Sequence, residues 1–117
     1  MNSKPVEALP EVQQDLENAI AHYLTWRSDG RAHVVDKYDE TVGWIEWNPD
    51  LFPFKISRVQ RAIIKHTYFA VYYLQEEART LVLAVLDGRG EPSRRQALLR
   101  RRRKSTISQR PSPKSRP

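Results

Sequence analysis

The chain has 117 residues and a formal net charge of +6, which leaves room for one hydrophobic core and not two. It contains no cysteine, so disulfides, thiolate zinc sites and cysteine nucleophiles are excluded, and no run approaches the 18 apolar residues of a membrane span. The charge is unevenly divided: residues 1–92 carry 10 Lys and Arg against 14 Asp and Glu, whereas residues 93–117 carry 10 Lys and Arg and no acid. The opening Met-Asn-Ser-Lys-Pro-Val-Glu lacks the apolar stretch of a signal peptide, so a cytoplasmic protein is expected.

A short strand is expected within Lys4–Ala8. From Pro10 to Trp26, Val12, Leu16, Ala19, Ile20, Tyr23 and Leu24 recur at spacings of three and four, with Gln13, Gln14, Glu17 and Asn18 between them. This is the pattern of an amphipathic helix, with Pro10 suited to its first turn and Asp29-Gly30 as a stop in which glycine takes a left-handed conformation. A second helix is expected over Arg31–Trp47 on a stripe of Val35, Tyr38, Val42 and Ile45, widened by Trp44 and Trp47. Asn48-Pro49 ends it, because the residue before proline is driven from the helical region. The short connection predicts an antiparallel helical hairpin.

After Pro53 the pattern becomes that of strands. Val59–His66, Phe69–Gln75 and Thr80–Leu86 are short runs rich in Val, Ile, Tyr and Phe, the last two separated by a turn at Glu76-Glu77-Ala78-Arg79. They predict an antiparallel meander in which Leu81–Leu86, apolar on both parities, is central and covered on both faces. Arg94–Lys104 predicts a short helix with Ser93 as its cap, and the Ser, Pro, Lys and Arg that follow predict disorder. The division is thus a folded domain over 1–92 and a basic, largely disordered tail over 93–117.

Little in the chain resembles an active-site motif. His22, His33 and His66 have no ligand-like spacing, the only close glycine pair is Gly88-Arg89-Gly90, and no serine lies in a nucleophile elbow. No metal or cofactor is expected. The remaining candidates are cations: Lys55, Arg58, Arg61, Lys65 and His66 before or on the first meander strand, and Arg89 in the loop after the last. By themselves they also fit a solvated sheet face. Trp26, Trp44 and Trp47 fit a core or a partner groove better than a base-stacking platform.

The run Val59-Gln60-Arg61-Ala62-Ile63-Ile64-Lys65-His66-Thr67-Tyr68-Phe69-Ala70-Val71-Tyr72-Tyr73 resembles the sheet of RelE/ParE-type toxins, in which a basic pair and an aliphatic strand precede an aromatic strand. Leu83-Ala84-Val85-Leu86-Asp87-Gly88-Arg89-Gly90-Glu91-Pro92 resembles the family's valine-rich strand and its basic turn. The segments Leu9–Leu16 and Asn48–Pro53 are similar to family members as well, and the resemblance spans about residues 5–92. It implies an α+β fold, an N-terminal helical hairpin packed on a small antiparallel sheet. It also implies the toxin of a type II toxin–antitoxin module, of the plasmid-stabilisation kind. Such a toxin is neutralised by a cognate antitoxin and acts either on DNA gyrase or by ribosome-dependent mRNA cleavage.

For cleavage, the ribose 2′-OH attacks the adjacent phosphate, which requires a proton acceptor, a proton donor and a cation for the phosphorane. Arginine supplies the cation but not the base, whereas a lysine among other cations can lose its proton. On the resemblance, Arg89 matches the first arginine of the family's turn, and Arg61 and Lys65 complete the catalytic candidates. The sequence departs from the pattern at Asp87, where the family has histidine, at Gly90, where it has a second arginine, and at Glu91, where it has aspartate. No tyrosine follows Arg89. These departures fit a gyrase-directed or decayed member at least as well as a nuclease. Lys55, Arg58, Arg94, Arg95, Arg100, Arg101, Arg102, Arg103 and Lys104 are candidate nucleic-acid contacts. They also support the alternative of a nonenzymatic nucleic-acid- or ribosome-binding module that uses the tail.

Overall fold

A computed structural model describes residues 3–109, with side chains to residue 104; the expected disorder beyond residue 109 lies outside the described residues. The elements in order are β1 (Val6–Ala8), α1 (Glu11–Leu24), α2 (Gly30–Trp47), a 3-10 turn (Pro49–Leu51), β2 (Phe54–Ile56), β3 (Val59–Ile63), β4 (Phe69–Gln75), β5 (Thr80–Asp87) and α3 (Pro92–Gln109). The five strands form one mixed sheet in the order β1-β5-β4-β3-β2. All neighbours are antiparallel except β1, which runs parallel to β5 with Val6 opposite Thr80 and Ala8 opposite Val82. The expected α+β fold is present. The meander is joined by the short N-terminal strand as β1 and by β2, which was not expected, and β5, flanked by β1 and β4, is an interior strand buried on both faces.

Strand alternation assigns the two faces. Gln60 on β3 stands opposite Tyr73 on β4, and both reach the segment after α2: the Gln60 amide donates to the carbonyls of Pro49 and Phe52, and the Tyr73 hydroxyl to Pro49. The hairpin of α1 and α2 therefore covers this face. Burial there pushes the Tyr73 phenol well above its ordinary value. Val59, one residue before Gln60, faces the other way, and it lines a cavity with Leu99 of α3. The sheet is thus sandwiched between a helical pair and a single helix, and every residue of β5 from Thr80 to Val85 is buried.

The hairpin differs from the sequence reading in two ways. Gly30 is the first residue of α2, and no glycine has a positive φ. Its role is close approach: a Cβ there would lie 2.8 Å from the Leu24 amide nitrogen and 3.0 Å from the Tyr23 carbonyl carbon. The buried stripe of α2 is Gly30, Val34, Thr41 and Ile45, so Val34 replaces Val35. Two adjacent valines are equivalent by composition, and Thr41 is admitted because its hydroxyl donates to the Lys37 carbonyl at 2.8 Å.

The C-terminal segment is the larger correction. Pro92 opens a helix that runs past Lys104 to Gln109, and Leu99 on it is 2% exposed, part of the core. The boundary at residue 92 therefore does not separate a body from a free tail. Arg102 donates to both oxygens of buried Asp15 on α1, at 2.5 and 3.1 Å, and to the Leu83 carbonyl at 3.0 Å. Asp15 also accepts the Val85 amide at 3.0 Å. β1 pairs with β5 only through Val82, so Leu83 and Val85 lie where β5 has lost its outer neighbour. A carboxylate and a guanidinium supply the missing acceptor and donor, which closes a sheet edge that would otherwise invite pairing.

Candidate functional site

Of the three cations proposed for chemistry, Lys65 and Arg89 lie beyond the ends of β3 and β5, whereas Arg61 sits mid-strand, and each is held by different surroundings. Arg61 is half-buried on β3, on the face opposite the helical hairpin, with Tyr72 as its cross-strand neighbour. Tyr72 is 1% exposed and its hydroxyl has no hydrogen-bond partner among the described residues. Lys65 is exposed in the β3–β4 turn, whose His66 adopts a left-handed φ of 63°. Arg89 follows β5, two strands away from β3 in the sheet order. Among the described residues no hydrogen bond or ion pair joins any two of them.

Arg89 is held by a local clamp. Its Nε and Nη2 donate to Asp87 at 3.1 and 2.8 Å, its backbone N–H donates to Asp87 Oδ1 at 2.8 Å, and its guanidinium carbon lies 4.0 Å from the centroid of the Tyr68 ring. The hydrogen bond from Arg89 holds the Asp87 carboxyl below the usual aspartate range, and the same bond raises the Arg89 guanidinium above its ordinary value. Asp87 thus neutralises the cation that a phosphate would need. The side chain is half exposed, so an incoming anion can compete for it.

The ring beneath Arg89 is itself fixed. The Tyr68 amide donates to the Tyr23 hydroxyl at 2.9 Å. Tyr23 packs edge-on against His22, Trp26 and His33 with ring centroids 5.0, 5.5 and 5.3 Å away. His33 reaches the His66 carbonyl at 3.1 Å. The three histidines therefore serve an aromatic end-cap that joins α1, α2 and the β3–β4 turn. Among the described residues, no cluster of three or more His, Cys, Asp or Glu side chains is placed to hold a metal ion.

Lys65 belongs to a second feature. Glu40, Thr41 and Trp44 of α2, Leu51 and Phe52 after it, and Ile63 and Lys65 line a groove of about 530 Å³. Trp44 and Ile63 are 52% and 63% exposed, and Trp47 stacks edge-on against Trp44 at 5.8 Å. β2 pairs with β3 at Val59 and Gln60 only, and the Arg61 amide is taken by the Pro53 carbonyl. Past that bond no strand among the described residues pairs with the outer side of β3. Trp44 is thus a groove residue with Trp47 packed beside it, Trp26 belongs to the aromatic end-cap, and an apolar surface meets an open strand edge.

Of the candidate nucleic-acid contacts, Lys55, Arg58, Arg94, Arg100, Arg101 and Lys104 are exposed. Arg102 is turned inward to Asp15, Arg95 donates to the Gly90 carbonyl at 2.8 Å, and Arg103 donates to Ser57 at 3.1 Å. Those three hold α3 in place, because helical periodicity brings them to the side of Leu99. Tyr68 and the Asp15–Arg102 pair were missed by sequence reasoning, which named the tryptophans as core or partner-groove residues without placing the groove. Two signals pointed to the groove and the pair: Trp44 and Trp47 make the α2 stripe wider than a hairpin partner covers, and Asp15 is an acid three residues from Val12 on an apolar stripe.

No family model matches the chain, and no curated protein matches it. A solved structure described as the "Chromosomal ParDE TA system from P. aeruginosa" is similar over 73% of this chain and 96% of that chain, with a TM-score of 0.58 and 12% sequence identity. That likeness extends to the fold: an α+β chain with a helical hairpin on a small sheet.

Proposed function

We propose that this chain is the toxin of a type II toxin–antitoxin module. The observation that carries the reading is the shared fold with a chain of a ParDE toxin–antitoxin system. The exposed apolar groove beside an open strand edge supports it, since a chain that works with a protein partner needs such a surface. The partner in this reading is a cognate antitoxin.

Between the two targets, the site favours DNA gyrase over the ribosome and its mRNA. Cleavage needs a base, an acid and a cation converging on one phosphate, and Arg61, Lys65 and Arg89 are not joined. Asp87 adds a negative charge where the phosphorane would form. Arg89, half exposed over Tyr68, instead offers a rigid arginine–tyrosine pair of the sort that anchors protein interfaces.

Inducible expression in a bacterial host, with plasmid topology and mRNA 5′ ends read from the same cells, tests both levels. Growth arrest with broken or relaxed DNA is the expected outcome. Codon-phased mRNA cuts would reassign the target to the ribosome, and unimpaired growth would refute the toxin reading.

A further inference from the structure

α3 sorts its cations by helical phase. Arg95, Arg102 and Arg103 lie on the side of Leu99 and are bonded to the body. Arg94, Arg101 and Lys104 are exposed on the opposite side, Arg100 is exposed at its margin beside the cavity that Leu99 lines, and no acid pairs with the four among the described residues. From residue 94 to 104 this row runs about 15 Å at 1.5 Å per residue. The bond from Arg103 to Ser57 lays the helix against the β2–β3 turn, where Lys55 and Arg58 are exposed too. Residues 51–75 and 93–117 contain no Asp or Glu.

We propose that the outer face of α3 is a sequence-independent binding surface for a nucleic-acid backbone. The row has the composition of a phosphate contact rather than of a protein interface. Ala97 is the only apolar residue on it, so the aromatic or aliphatic anchors that carry protein–protein affinity are missing. It has no aromatic ring for base stacking and no Asn or Gln among its exposed residues to read a base edge, so charge is the whole of its recognition. Docking by Leu99 and Arg102 makes the row a rigid template rather than a loose polycation. The surface does not rest on the toxin reading, and it is separate from Arg89 and the groove.

The test is binding of the full chain to a labelled 20-base-pair DNA duplex between 50 and 200 mM salt. Four phosphate contacts contribute about −3.6 to the slope of log affinity against log salt, which is about a 150-fold loss over that range. The variant Arg94→Gln/Arg100→Gln/Arg101→Gln/Lys104→Gln changes only exposed side chains. It should lose about that much slope while melting at the wild-type temperature. Arg27→Gln/Arg31→Gln/Lys37→Gln, which removes three cations from the hairpin, should leave the slope in place. Two duplexes of unrelated sequence should bind alike. An unchanged slope in the α3 variant would overturn the proposal. So would stronger competition by polyglutamate than by duplex at equal charge, which would reassign the face to an acidic polypeptide.

Discussion

Removing the Arg102 side chain tests how α3 is attached. In Arg102→Ala, Asp15 keeps its bond to the Val85 amide but loses both guanidinium bonds, and the Leu83 carbonyl loses its donor. The Asp15 and Arg102 side chains are 7% and 14% exposed, so the orphaned carboxylate cannot be rehydrated in place. Breaking a buried pair from one side costs about 3–5 kcal/mol. In a domain of this size that lowers the melting temperature by roughly 15–25 °C. Urea unfolding and a thermal melt measure it directly. Asp15→Asn/Arg102→Met removes both charges, keeps a carbonyl oxygen for the Val85 amide, and should return to within about 1.5 kcal/mol of wild type. A cost below about 1 kcal/mol for Arg102→Ala would match an exposed ion pair. It would refute the docking of α3 on the β5 edge.

Three further variants probe the geometry. On the proposed toxin reading, Arg89→Ala should leave the fold intact and abolish growth inhibition. In the same variant the Asp87 titration, followed by NMR, should rise toward the ordinary value of 3.8, because the arginine that depresses it is gone. The sign follows from that depression: the Asp87–Arg89 pair stabilises the fold above the ordinary aspartate value, and this contribution disappears as pH falls through the lower folded value. Gly30→Ala places a methyl against backbone atoms of Tyr23 and Leu24 and should cost about 1–3 kcal/mol in urea unfolding, although no left-handed φ is involved. Trp44→Ala should change stability by less than about 1 kcal/mol, since the ring is half exposed, yet on the proposed toxin reading weaken binding of the cognate antitoxin by about 2 kcal/mol or roughly 30-fold in a titration.

The α+β class, the helical hairpin and the β4–β5 pair were legible from spacing, because burial of one face imposes periods of 3.6 and 2 on local sequence. Phe69–Gln75 matches β4 residue for residue, and Thr80–Leu86 falls one short of β5. β3 was read three residues too long, because Ile64 is as apolar as its neighbours while His66 adopts a turn conformation that composition does not mark. β2 went unseen: a three-residue strand that pairs with β3 at two positions leaves no periodic trace. Among the site residues, Arg89 was found through the turn it occupies, and its clamp by Asp87 follows from a spacing of two. Tyr68 was not, since its contact with Arg89 spans 21 positions and exists only once β4 and β5 are paired.

By itself, the sequence determined which segments are helix or strand and where charge accumulates, since these are properties of near neighbours along the chain. Only the tertiary structure decided what each charge does. Ten cations without an acid in the last 25 residues read as a basic, largely disordered tail with one short helix. Folding divides those it describes into three that hold a helix to the body and four that face outward. The difference between Arg101 and Arg102 is a 100° turn of one helix and an acid 87 positions away, placed at a sheet edge that β1 is too short to cover. No local pattern carries that information, because the partner of a buried charge is chosen by packing.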